Sequence, residues 1–189
     1  GGAVWLRAFR PLVVPVALHA QDPSPARPTA AVVTAVEEID AMRSGLAATL
    51  EGRASPPDQQ VFGQVCRPVG ERAKAVAAER GWQVLQMAAR NRNPAHALDA
   101  EGARVSRMFE ADAELTAVWL RSSMNGTPGM RYFRRITVEA SCLACHGARD
   151  ARPAFVVTKY PDDRAFDFKP GDLRGLYAVF VPDSLAGKE

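Results

Sequence analysis

The sequence predicts an α+β fold, on two observations. Through the first half, apolar residues recur at three- and four-residue steps, the spacing of one helical face. In the second half, short apolar runs bounded by Gly, Pro and Asn dominate, which reads as strands. Helices first, then few strands in mixed order, is an α+β pattern. At 189 residues and 47% apolar, the chain can bury a core large enough for such a domain.

Residues 1–28 stand apart. Arg7 and Arg10 precede the apolar run Pro11–Leu18, and residues 21–28 carry three prolines. The first part resembles a secretory signal and the second a linker. We expect a signal-like or tethering extension, held by a partner protein or a membrane surface, ahead of a domain over 29–189. From Thr29 to about Leu50, residues Val32, Val36, Ile39 and Leu46 form a helical stripe. A second helix is expected from Pro57-Asp58 to Arg80, stopped by Gly81 and kinked at Pro68, beside Cys66. Trp82–Ala89 reads as a strand. Asp99 caps a third helix expected to reach Arg121, with Leu115, Val118 and Trp119 on its apolar face. Asn125–Gly129 is a turn. Strands are then expected around Tyr132–Val138, Ala154–Lys159 and Arg174–Val181.

The chemistry sits in Cys142-Leu143-Ala144-Cys145-His146. A C-x-x-C-H run is the attachment signature of a c-type haem. Two thiols a short turn apart can form thioethers along one porphyrin edge, and the adjacent imidazole can bind the iron. Zinc would need two more ligands, and the remaining pool of Cys66, His19 and His96 has no paired spacing. Thioredoxin-type chemistry wants a helix under the first cysteine, which Gly147 and Pro153 disfavour. We therefore expect one covalent haem c. Covalent attachment of this kind takes place on the exported side of a bacterial membrane, so the motif implies a periplasmic home. The net charge of +3 comes without a basic run or aromatic ladder, so nucleic acid is not expected as a partner.

Several further stretches join the motif in a recognisable order: Val65-Cys66, Gly81-Trp82, Arg92-Asn93-Pro94, Tyr160-Pro161-Asp162 and Gly171-Asp172-Leu173-Arg174-Gly175. With them, residues 58–181 resemble a family of single-haem c-type domains known from cyanobacteria and other bacteria. The resemblance implies a PAS-like antiparallel sheet with helices packed around it and haem held against the sheet. It implies His146 as proximal ligand and, as in some members of the family, a cysteine matching Cys66 as the opposite axial ligand. The chain departs from the family after Arg-Asn-Pro, where Ala95-His96-Ala97 makes His96 the rival ligand. Met87, Met108, Met124 and Met130 rank third, Met87 and Met108 being at apolar, core-like positions. Arg174, with Arg92 behind it, is expected to bind the haem propionates through its planar fork, the ordinary alternative being an ion pair to Asp172.

The expected function is electron transfer or redox and ligand sensing, with a redox partner or membrane-bound electron-transfer complex. No nucleophile–base pair, carboxylate dyad or phosphate loop is evident, so an enzyme is the weaker reading. Its form would be peroxidase-like, with His96 as base. A haem-stapled structural subunit is the other alternative.

Overall fold

In the computed structural model, residues 29–53 and 55–185 are described, and the N-terminal extension over 1–28 lies outside them. Among the described residues, six α-helices and four strands follow in order: α1 (Thr29–Ala48), α2 (Gln59–Val65), α3 (Arg67–Arg80), β1 (Gln83–Met87), α4 (Ala100–Ala111), β2 (Ala117–Met124), β3 (Thr127–Thr137), α5 (Leu143–His146), α6 (Ala154–Lys159) and β4 (Leu173–Pro182). The expected α+β class is what the chain adopts. Among the described residues, no helix is long and apolar enough to cross a membrane.

The strands form one antiparallel sheet in the order β1-β4-β3-β2. Strand side chains alternate between faces, and here both faces are covered. Tyr132 and Ile136 of β3 and Tyr177, Val179 and Val181 of β4 pack with α1 and α3. Their neighbours Phe133, Leu176 and Ala178 pack on the other face against Val105 and Phe109 of α4. That two-sided burial explains why β4, between two strands, reads as an unbroken apolar run.

The expected interruption near Pro68 is a full break. Proline lacks an N–H and its ring crowds the carbonyl four residues back, so α2 ends at Val65 and α3 restarts at Arg67. Cys66 is the joint, capping one helix and opening the next. Asp58 caps α2 by accepting from the Val61 N–H at 2.8 Å. Gly81 ends α3 with φ 68°, and the Trp82 N–H returns to the Ala77 carbonyl.

Three expectations are corrected. Asp99 does cap a helix, accepting from the Gly102 N–H at 2.8 Å, but α4 stops at Ala111 rather than Arg121. Residues 117–124 are strand β2. The apolar positions there fit either period, and pairing with β3 decides: Val118 lies opposite Phe133 and Trp119 opposite Tyr132, with ring centroids 4.8 Å apart in the second pair. The turn between them is Asn125-Gly126 alone, both at positive φ (51° and 79°), so β3 begins at Thr127. Ala154–Lys159 is a helix, not a strand. Its β-branched Val156-Val157-Thr158 suggested extended backbone, but only Val156 is buried while Val157 is 49% exposed. One buried face after Pro153 is what a short helical turn offers.

Candidate functional site

The sheet ends in a cavity of about 310 Å³. Its walls come from the end of β1, the start of β4, the α2–α3 joint, the last turns of α1 and the Cys-His motif. Cys66, His96, Cys142, Cys145, His146 and Arg174 all line it. Residues scattered over more than half of the sequence are thus brought to one site.

The motif itself follows β3. After Glu139 the chain makes one 3-10 turn over Ala140–Cys142 and runs into α5, which ends at His146. Helical geometry puts positions three apart on one face, so Cys142 and Cys145 share a face. Gly147 is needed to leave this turn: a Cβ there would sit 2.7 Å from the Leu143 carbonyl oxygen. All three cysteines are free thiols, and no cluster of three or more ligand-type side chains suited to a metal ion occurs among the described residues. Among the described residues the zinc alternative thus finds no ligand set, and His19 lies outside them.

The orientation of His146 is set by the loop before β4. The Asp167 N–H donates to the Gly147 carbonyl at 2.7 Å and the Phe168 N–H to that of His146 at 3.1 Å. The Phe168 ring meets the imidazole edge-on at 6.1 Å. Nδ1 of His146 lies 2.8 Å from the Ala165 carbonyl oxygen and 3.3 Å from a guanidinium nitrogen of Arg92. A carbonyl only accepts and a guanidinium only donates, so the two demand opposite tautomers. The shorter contact wins, because the same Arg92 nitrogen has a better acceptor in the Cys145 carbonyl at 2.6 Å. Nδ1 carries the hydrogen and Nε2 keeps its lone pair. Burial and the nearby cations Arg174, Arg92 and Arg90 hold the ring well below the usual histidine pKa, hence neutral. A neutral imidazole whose Nδ1–H is tied to a backbone carbonyl is oriented and made more basic for a metal at Nε2.

Asp163 organises this frame. Its carboxylate, fully buried, accepts from Arg92 at 3.3 Å, from Arg152 at 3.0 Å and from the Ala165 N–H at 2.9 Å. One aspartate thus holds both the arginine on the Cys145 carbonyl and the backbone that receives the imidazole. Arg92, expected to stand behind Arg174 on a propionate, also lines the cavity, with its Nε and one terminal nitrogen held by these protein partners.

Arg174 is different. Its guanidinium reaches only the Arg90 carbonyl at 3.3 Å and lies 5.5 Å from the Phe168 ring. It makes no ion pair among the described residues. Asp172, the ordinary alternative, instead accepts from the Lys169 N–H at 2.8 Å. Desolvation in the cavity wall and repulsion from Arg92 lower the Arg174 pKa to about 10. This is a cation lacking a counter-ion, on the wall of a cavity that also holds two thiols and a free imidazole nitrogen. Those features fit a haem: thiols for its vinyl edge, Nε2 for its iron and Arg174 for a propionate.

Both rivals for the sixth position line the cavity. Cys66 is open to the cavity yet ringed by protein, and desolvation, ahead of the neighbouring Cys145, pushes its thiol up to about 11. Gly70 lies one turn further along α3, where a Cβ would meet nothing within 4 Å. His96 has its pKa lowered by burial and by Arg174. The methionines fare worse. Met87 sulfur accepts from Arg131 at 3.5 Å, Met108 is 39% exposed rather than core, and neither Met124 nor Met130 lines the cavity.

A family model of the Tll0287-like proteins matches residues 26–182. The chain belongs to the Tll0287-like family. The match begins before α1, so the first helix, left outside the span 58–181 read from the motifs, is part of the shared domain. Among solved structures, that of the cyanobacterial heme-protein Tll0287 is 51% identical, over 82% of this chain and 94% of its own, with a TM-score of 0.74. The curated proteins contain no match.

The residues singled out from the sequence, Cys66, Arg92, His96, Cys142, Cys145, His146 and Arg174, are all brought to this one cavity. Arg43, Glu139 and Asp163 join them only in the folded chain. Their partners lie far along the chain, and no local spacing announces them.

Proposed function

We propose that this protein binds one haem c, held covalently by Cys142 and Cys145 with His146 as proximal ligand, and serves electron transfer or redox and ligand sensing. The observation that carries the reading is the Nδ1–H bond to Ala165, which leaves Nε2 free on the cavity wall that holds both motif thiols. Relationship to a heme-protein supports it. Bound there, haem would supply a one-electron iron centre. The chain's own part is to orient the imidazole through Ala165 and Asp163, while Arg174 would hold a propionate and Cys66 would be a second ligand to the iron. A PAS-like reading of the fold is supported by the last strand lying between the first and third. An extracytoplasmic setting, with a redox partner or membrane-bound complex and residues 1–28 as tether, completes the proposal. It is not an enzyme in this reading.

Cys66 is preferred to His96 because it sits at the α2–α3 break, its backbone tied to both helices: its N–H donates to Phe62 and its carbonyl accepts from Gly70. The test is the absorption spectrum and reduction potential of three proteins. Wild type should keep its haem after denaturation and be six-coordinate and low-spin. Cys66→Ser should alter the oxidised spectrum, raise the potential, because a thiolate favours the ferric state, and admit carbon monoxide. His96→Ala should do none of these. The reverse pattern makes this a bis-histidine carrier, and a high-spin wild type restores the peroxidase-like alternative.

A further inference from the structure

Arg43, on the last turns of α1, lines the cavity 99 positions before Cys142 in sequence, yet its guanidinium reaches that cysteine's sulfur at 3.8 Å. The other two nitrogens are fixed. Nε donates to Asp40 at 2.7 Å and Nη2 to Glu139 at 2.8 Å. Both acceptors are themselves held: Glu139 by the Ser44 hydroxyl at 2.7 Å, and Asp40, 8% exposed, by the Tyr177 hydroxyl at 3.0 Å and Arg134 at 2.9 Å. A planar fork clamped on two sides leaves its third arm with one direction. The same sulfur also accepts from the Glu139 N–H at 3.4 Å.

The two motif thiols therefore differ in what aims them. Cys145 is buried at 7% exposure, so packing restricts its rotamer. Cys142 is only half-buried at the edge of its cluster, and two hydrogen bonds to its sulfur add to that partial packing. We propose that Arg43 is a positioning residue for thioether formation at Cys142. This rests on the covalent-haem reading above. In the step it serves, the Cys142 S–H adds across a vinyl C=C. The sulfur bonds to the carbon next to the ring, the thiol hydrogen goes to the terminal carbon, and no electron is gained or lost overall. A displacement of about 1 Å in such a reaction costs about a hundredfold in rate. Loosening Arg43 should leave Cys142 unreacted while Cys145, aimed by packing, still couples.

The full chain is exported with a haem-attachment system, then purified, denatured and alkylated, and each cysteine is located by peptide mass. Wild type should show thioethers at Cys142 and Cys145. In Arg43→Leu, alkylated Cys142 should rise about tenfold or more over wild type, with Cys145 still attached. Arg43→Lys keeps the charge but has no fork, and should behave likewise. If the leucine variant does not accumulate, the lysine variant and Ser44→Ala, which loosens Glu139 without removing a charge, carry the comparison. Complete attachment at Cys142 in the variants that accumulate overturns the proposal. So does equal loss at Cys145, the mark of a purely structural role. Wild-type protein that sheds its haem on denaturation overturns the haem reading instead.

Discussion

Removing the Asp163 carboxylate should unfasten the motif from the loop that orients it. Its side chain is 0% exposed, and the two arginines it pairs with are only 9% and 11% exposed. Breaking a buried pair by deleting one partner costs about 3–5 kcal/mol. Arg152 stacks on Phe166 near the surface and can turn to water, so the lower part of that range applies, about 3–4 kcal/mol. For a chain of this size each kcal/mol moves the melting temperature about 2–4 °C, so Asp163→Ala should melt about 6–16 °C lower. Asp163→Asn keeps an acceptor for the Ala165 N–H and should lose about 1.5–3 kcal/mol. Acid melts supply the second readout. Desolvation pushes the Asp163 pKa up, but the Ala165 N–H, Arg92 and Arg152 together push it further down, to below its ordinary value. A carboxylate depressed on folding contributes stability that is complete above its unfolded pKa and is lost as pH falls through its folded one. Wild type should therefore weaken below the usual carboxylate range, and Asp163→Asn should show a shallower acid slope. The assay is thermal denaturation followed by circular dichroism from neutral to acid pH. An Asp163→Ala protein that melts within about 2 °C of wild type, on the same scale, refutes this account of the site.

Three further outcomes are expected. Gly175→Ala would place a Cβ 2.4 Å from the Met87 carbonyl oxygen, forcing β1 and β4 apart at the cavity wall. It should cost about 1–3 kcal/mol and lower the fraction of chains carrying cofactor, measured by haem-to-protein ratio; an unchanged ratio counts against the placement of the cavity. Tyr177→Phe removes a 3.0 Å hydrogen bond to the buried Asp40 carboxylate and should cost about 1.5–3 kcal/mol in chemical denaturation; no loss would show that Arg43 and Arg134 satisfy Asp40 alone. Gly126→Ala strains a turn residue at φ 79° and should cost about 1 kcal/mol with no change in haem content, since the hairpin tip is remote from the site; a changed spectrum would contradict that.

What the sequence by itself determined is what short-range chemistry decides. Pro68 must interrupt a helix, Gly81 suits the left-handed position that ends one, and Asp99 must cap because its carboxylate reaches a backbone N–H three residues on. The spacing of Cys142, Cys145 and His146 already implied a single turn presenting all three. Tertiary structure decided whatever depended on a distant partner. Residues 117–124 carry a pattern compatible with helix or strand, and only β3 alongside makes them a strand. Residues 154–159 have strand-forming side chains, yet a surface that buries Val156 alone makes them a helix. The hydrogen on His146 is placed by Ala165, 19 residues later, and Arg92 is taken by Asp163, 71 residues later. Among the described residues Arg174 makes no ion pair, and the neighbouring Asp172 turns its carboxylate to the Lys169 N–H instead. Local rules follow from backbone sterics and one or two hydrogen bonds. Pairing, tautomer and charge balance follow from which groups the packed chain brings within 3 Å, and spacing along the sequence does not encode that.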